Sequence, residues 1–140
     1  MTTAAWEHFE HQADIGVRGI GADKGEAFAQ AAVALTAVLV DPKQVVAREP
    51  FEVECEAADD ALLLVDWLNT VIYEMAAKKM LFSRFDVWVE TPNLRARIWG
   101  EKINSRKHHP AVEVKGATYH EADVRQRKDG AWVAQCVVDV

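Results

Sequence analysis

The sequence predicts an α+β fold in which two helices pack on a mostly antiparallel β-sheet. The segments run strand, helix, strand, helix and then strand after strand, without the regular βαβ alternation of a parallel sheet. The chain has 140 residues, of which 50% are hydrophobic and 27% are charged. This composition is typical of ordered globular proteins, and the length suits one domain, so we expect a single domain over residues 1–140.

A segment of alternating apolar and polar residues precedes each of the two predicted helices. The first, WEHFEHQADIGVRGIGA, indicates one or two strands with bends at Gly16 and Gly19, and it places Asp14 on the face opposite Ile15 and Val17. The second, QVVAREPFEVECEA, indicates a strand in which Pro50 marks a break or an edge position.

Two segments have helical periodicity. The first, DKGEAFAQAAVALTAVLV, begins with Asp23 and Glu26 at capping-box spacing and ends near Pro42. The second, ALLLVDWLNTVIYEMAA, is capped by Asp59 or Asp60. Its wide apolar stripe indicates core packing and not a cofactor pocket; the stripe and its aromatic neighbour are Leu64, Trp67, Leu68, Val71, Ile72 and Met75.

The remaining segments predict strands: FSRFDVWVE, LRARIWG, AVEVKGATYHEADVRQR and AWVAQCVVDV. The last two flank KDG, a strong hairpin signal. A two-residue loop would pair Asp139 with His120, but it mixes an apolar face with a charged one. We favour a three-residue loop with a bulge at Gly130, which pairs Val124 with Ala134 and Asp139 with Tyr119. Either register puts Asp139 at a strand end, within reach of solvent or a ligand.

Charge argues against a protein whose main task is to bind nucleic acid, because the formal net charge is −6. Residues 95–128 are different, with nine Lys or Arg against four Asp or Glu. This basic region suits either a docking face for a partner or a solvated hairpin surface.

Neither a membrane segment nor a disulfide or zinc site is indicated. No run reaches the ~20 apolar residues of a membrane span, and the first residues lack a signal-peptide pattern, so we expect a cytoplasmic protein. Cys55 and Cys136 are far apart and belong to no CxxC pair. The five histidines have no zinc spacing, because two lie on opposite strand faces and two are adjacent in sequence; they are His8, His11, His108, His109 and His120.

The stretches HQADIGVRG, VKGATYH and the ending VVDV, taken together, resemble the archease family, small proteins that act as cofactors of RtcB-type RNA ligases. DDALLLVDWLNTVIYE, FSRF and GEKINSRKHHP extend the resemblance over nearly the whole chain. The departures are Gln12 where Thr is usual, Gly116 and Ala117 where Ala and Val are usual, and Val140 where Ile is common. None of them removes a charged group.

The resemblance implies a divalent-cation site, usually assigned as calcium, formed by Asp14, Asp139 and Val140. The residue chemistry agrees, because two carboxylates and the main-chain oxygens of Val140 are hard oxygen ligands. Manganese and magnesium are alternatives. On spacing alone, the two acids would be ordinary solvated carboxylates at strand ends.

Three further residues are candidates for partner binding or for supporting the metal site. In its family context Lys115 is a candidate contact for the ligase or a phosphate, and Glu101 has a comparable family position. His120 is a candidate hydrogen-bond partner that would support Asp139. Each has a simpler interpretation: a surface lysine, a turn acid and a hydrogen-bonded sheet residue.

The resemblance implies a non-catalytic activator of an RtcB-type RNA ligase, which promotes guanylylation and multiple turnover of the ligase in tRNA splicing or RNA repair. The activator would reach RNA only through the ligase. Two alternatives stay open: a general chaperone or modulator of RNA-processing enzymes such as tRNA methyltransferases, and a small metal-assisted hydrolase using Asp14, His120 and Asp139. The hydrolase has less support, because the sequence offers no nucleophile elbow or phosphate-binding glycine loop.

Overall fold

A computed structural model describes residues 2–110 and 112–140. The elements are β1 (Ala5–His11), β2 (Asp14–Gly21), α1 (Lys24–Leu39), a short 3-10 turn (Pro42–Gln44), β3 (Pro50–Glu56), α2 (Asp60–Lys78), β4 (Met80–Glu90), β5 (Asn93–Lys102), β6 (Gly116–Gln126) and β7 (Trp132–Asp139). The predicted α+β class with two helices is confirmed.

The strands form two antiparallel sheets where the sequence analysis expected one. The four-stranded sheet has the order β1-β2-β7-β6, and the three-stranded sheet has the order β3-β5-β4. Both helices contact both sheets. The physical reason lies in helix α1, which is rich in alanine and buried around most of its circumference, so it requires apolar cover on more than one side.

The helix ends follow the predicted capping residues. The Asp23 carboxylate accepts the Glu26 N–H at 2.7 Å, and the Asp59 carboxylate accepts the Leu62 N–H at 2.8 Å. Helix α2 ends at Lys79, which has a left-handed backbone with φ of 53°. Neither described helix is long and apolar enough to cross a membrane.

The core lies between the helices and the sheets. Trp67 is fully buried, and its indole N–H donates to the Phe28 carbonyl at 3.0 Å. A side chain at Gly19 would collide with the backbone of α1, because a Cβ there would lie 2.0 Å from the Ala27 carbonyl oxygen. Glycine at this position therefore allows α1 to lie directly on β2, and the apolar stripe of α2 is core as predicted.

The β6–β7 hairpin has two registers. Near the turn, Val124 pairs with Ala134, and Gly130 has φ of 91°, which confirms the favoured three-residue loop. Between Thr118 and Asp123 the register shifts by three residues, so that Asp139 pairs with Gly116. The predicted pairing of Asp139 with Tyr119 is wrong, because residues 119–122 leave the regular ladder in a bulge.

Candidate metal centre

Asp14 and Asp139 lie at the same end of two neighbouring strands. The β2–β7 pairing includes Ile15 opposite Val138, and its continuation by one residue places Asp14 across from Asp139. Directly opposite residues share a face and have Cα atoms about 4.5–5.5 Å apart. We call Asp14, Asp139 and Val140 the carboxylate row.

The next strand holds the backbone of this row in place. Gly116 pairs with Asp139 on β6, and the Lys115 N–H donates to the Asp139 carbonyl at 2.8 Å. Val140 is half-buried and packs against the core. The strand end therefore has a defined position, although the Asp139 side chain itself is exposed.

The two side-chain carboxylates have no partner among the described residues that offsets their charge. Within residues 2–110 and 112–140, neither Asp14 nor Asp139 makes a side-chain hydrogen bond or an ion pair. Like charges at facing positions of adjacent strands are destabilising. Calcium fits this donor set, because it prefers several carboxylate and main-chain oxygens and completes its coordination shell with water.

Lys115 and His120, the two other candidates on β6 or just before it, lie near the row. The Lys115 side chain is exposed, and the residue reaches Asp139 through its main chain. His120 approaches His11, with 3.2 Å between the two Nε2 atoms. Its hydrogen-bond partner among the described residues is thus a histidine, and it makes no hydrogen bond to Asp139 there.

Glu101 belongs to the three-stranded sheet, where it pairs with Leu81. Its carboxylate accepts the Val46 N–H at 2.7 Å, the Lys107 ammonium at 2.7 Å and His108 Nε2 at 3.1 Å. Burial alone would raise the pKa of Glu101, but these hydrogen bonds outweigh it and lower the pKa to about 2. Glu101 therefore ties two loops to β5, and its partners do not include the carboxylate row.

The spacing of residues along the sequence did not indicate one cluster of potential metal ligands. Ligand atoms of His11, His120 and Glu121 lie within 4.8 Å of one another. His11 pairs with Asp14 in the β1–β2 ladder, and His120 and Glu121 belong to the bulge of β6. Distances along the chain carry no signal for this cluster, because strand pairing and the register shift bring the residues together.

The basic region 95–128 is distributed over both sheets, since β5 and β6 belong to different ones. Several of its cations are bound to nearby acids: Arg97 to Glu52, Lys107 to Glu101, Arg125 to Asp123 and Arg127 to Asp129. These pairs favour the solvated-surface interpretation for much of the region.

Fold and site define a class of small α+β proteins in which two helices contact two antiparallel sheets and two neighbouring strands each carry an aspartate at the same end. A sequence model of the Archease protein family matches residues 6–140. The chain belongs to the archease family.

Relatives match over almost their full length. Protein archease of Pyrococcus abyssi is 40% identical over 139 residues, which cover 96% of this chain and 98% of that protein. Protein archease of Thermococcus kodakarensis is 41% identical with the same coverage. The solution structure of Methanobacterium thermoautotrophicum protein 1598 has a TM-score of 0.83 at 31% identity, covering 97% of this chain and 99% of that one.

A crystal structure of an archease from Thermotoga maritima, described as a possible chaperone, has a TM-score of 0.56 at 19% identity and covers 96% of both chains. At this identity the likeness concerns the fold alone.

Proposed function

We propose that this chain is a non-catalytic protein cofactor that activates an RtcB-type RNA ligase. It promotes guanylylation of the ligase, so that each ligase molecule completes many ligations in tRNA splicing or RNA repair. Membership of the archease family supports this proposal. The observation that carries it is the carboxylate row, in which the continued β2–β7 pairing places Asp14 across from Asp139. Neither carboxylate has an ion pair within residues 2–110 and 112–140.

The carboxylate row holds a divalent cation in this proposal. Asp14 and Asp139 supply carboxylate oxygens, Val140 supplies main-chain oxygens, and water completes the shell. Calcium is the first choice because the donors are all oxygen and the solvent side is open, whereas Mg²⁺ requires a stricter octahedron. Manganese is the second choice, because it accepts the same donor type. The ion offsets the repulsion between the two acids.

In this proposal the ligase docks on the surface of this protein that surrounds the carboxylate row. Lys115 is exposed and one residue from Gly116, the strand partner of Asp139, so its ammonium can contact an acidic or phosphate group of a docked ligase. RNA is engaged only through the ligase, in the cytoplasm. A bound ion that bridges the row and the ligase would link metal binding to activation.

A ligation assay tests this function. A cognate RtcB-type ligase at limiting concentration is given RNA ends, GTP and manganese, with or without this protein, and product per ligase molecule is measured. We expect the wild type to raise turnover well above one and Asp139→Asn to abolish the rise. Asp86→Asn is the matched control, because Asp86 is a partly exposed acid on the other sheet.

Two results would contradict the proposal. An active ligase whose turnover is unchanged by the wild-type protein removes the activator function. Full activation by Asp139→Asn removes the role of the carboxylate row while leaving activation itself in place.

A general chaperone or modulator of RNA-processing enzymes is the second candidate. An apolar groove of about 230 Å³ between the helices and the segment that follows β5 favours it, with Leu39, Ile72, Met75, Ile103 and Val112 among its lining residues. The archease of Thermotoga maritima is described as a possible chaperone. Suppressed aggregation of a tRNA methyltransferase, together with unchanged ligase turnover, would favour this function over the first.

A further inference from the structure

His11 and His120 approach each other from β1 and β6, the two edge strands of the four-stranded sheet. Their Nε2 atoms are 3.2 Å apart, and their rings meet edge to face with centroids 4.8 Å apart. The Glu121 carboxylate is the third member of the cluster, with one ligand atom of each residue within 4.8 Å of the others. Two imidazoles and one carboxylate thus converge on one point at the surface.

The separation of the two nitrogens matches that of two ligands on one metal ion. Zinc binds imidazole nitrogen at about 2.0–2.1 Å, so two such ligands of a tetrahedral ion lie roughly 3.3–3.4 Å apart. The observed 3.2 Å needs only a small opening of the pair. Glu121 is exposed, and rotation of its flexible side chain can bring a carboxylate oxygen to the third position.

Two other histidines, His8 and His108, hydrogen-bond to groups that are not histidines, unlike His11 and His120. His8 Nε2 is bonded to the Ala34 carbonyl, and His108 is bonded to the Asn104 N–H and to Glu101. His11 and His120 have only each other among the described residues. His11 Nδ1 is buried and has no hydrogen-bond partner in residues 2–110 and 112–140.

The fold builds this cluster with two local departures from regular strand structure. Glu121 has a left-handed backbone with φ of 59° within the three-residue register shift of β6. Gln12, which follows His11 in the tight β1–β2 turn, has φ of 54°. Non-glycine residues with positive φ are uncommon; Glu121 is a member of the cluster, and Gln12 directly follows another member.

We propose that His11, His120 and Glu121 form a second metal site that binds Zn²⁺ or a chemically similar late first-row divalent ion. The site adjoins the carboxylate row, because His11 is the strand partner of Asp14, but its ligands are different residues. Imidazole nitrogen suits zinc, whereas calcium prefers oxygen ligands alone. Three protein ligands leave a fourth position on the solvent side for water or for a group from another molecule. The proposal does not require ligase activation, because Zn²⁺ binding by these three residues can be measured without a ligase.

Zinc binding by the full-length protein tests this site. Zn²⁺ affinity is measured by competition with a chromophoric chelator at pH 7.5 and in excess Ca²⁺, which occupies oxygen-only sites. Residues that merely orient a metal ligand typically contribute ~10–100-fold in affinity, so we expect His120→Gln to weaken Zn²⁺ binding by at least roughly tenfold. Glu121→Gln should also weaken it.

The control is His109→Gln, which removes another exposed histidine and should bind Zn²⁺ as the wild type does. Asp139→Asn should also retain Zn²⁺ affinity. Loss of binding in Asp139→Asn equal to the loss in His120→Gln would show one mixed site and overturn the proposal. Wild-type affinity in His120→Gln, or no Zn²⁺ binding by the wild type, would overturn it as well. Circular dichroism confirms that each variant is folded.

Discussion

Glu101 and the carboxylate row are two acidic sites of opposite kind. Glu101 is 11% exposed and accepts hydrogen bonds from Val46, Lys107 and His108. The continued β2–β7 pairing places Asp14 across from Asp139, and neither makes an ion pair with a described residue. A carboxylate whose partners are all internal stabilises the fold, whereas a pair of carboxylates without partners leaves its charge for a ligand to offset.

The largest expected difference between the two sites is the effect of calcium on stability. A ligand that binds only the folded state at 100 times its dissociation constant adds about 2.7 kcal/mol to the free energy of unfolding. We expect this gain for the wild type and its loss in Asp14→Asn and Asp139→Asn, measured by urea unfolding with and without Ca²⁺. Asp86→Asn should keep the gain. An equal gain in all variants would place the ion elsewhere.

The second-largest expected effect is the loss of stability when the charge of Glu101 is removed. Hydrogen bonds to charged groups contribute roughly 1.5–3 kcal/mol, so Glu101→Gln should lower the free energy of unfolding by about 2 kcal/mol in urea, with or without Ca²⁺. Glu90→Gln provides the same substitution at an exposed strand position and should change stability by less than about 0.5 kcal/mol. Equal stabilities of the two variants would refute a structural role of Glu101.

The same contribution should depend on pH. The pKa of Glu101 falls from its ordinary 4.5 to about 2 in the folded protein. A lowered pKa means that the stabilisation is complete above pH 4.5 and is lost as pH falls towards 2. We expect wild-type stability to fall more steeply over this range than that of Glu101→Gln, measured by urea unfolding at several pH values. Parallel curves would contradict the assignment.

The smallest expected effect is that of Asp139→Asn without metal. The substitution removes one of two like charges at facing positions, so stability should change by less than about 0.5 kcal/mol, in the stabilising direction. Chelator-treated protein in urea provides the measurement. A clear loss of stability would mean that Asp139 has an internal partner and that the contrast with Glu101 is false.

Local chemistry made much of the fold predictable. The caps Asp23 and Asp59, the apolar stripe of α2 and the Gly130 turn depend on residues close in sequence, and all were confirmed. The division into two sheets was not predictable in the same way. It depends on how many sides of α1 must be covered by apolar side chains of other elements. That number is set by distant strands that pack around the helix, and local sequence does not contain it.

The site was predictable in part for the same reason. The resemblance selected Asp14 and Asp139, and the continued β2–β7 pairing puts them at the same strand end; that they bind a metal stays a prediction. The bulge in β6 has no glycine and no proline to mark it, because its left-handed residue is Glu121. The sequence analysis therefore assumed that the register at the turn continues to the strand end. For this reason it did not predict the contact between His11 and His120.

That bulge also affects how the protein meets other copies of itself. β6 is an edge strand of the four-stranded sheet, and a long, regular edge presents unpaired N–H and C=O groups that attract further strands. Residues 119–122 interrupt this edge midway, between Thr118 and Asp123. The irregularity leaves only two short segments of regular edge, too short to serve as a good template, and so protects the protein from aggregation through added strands.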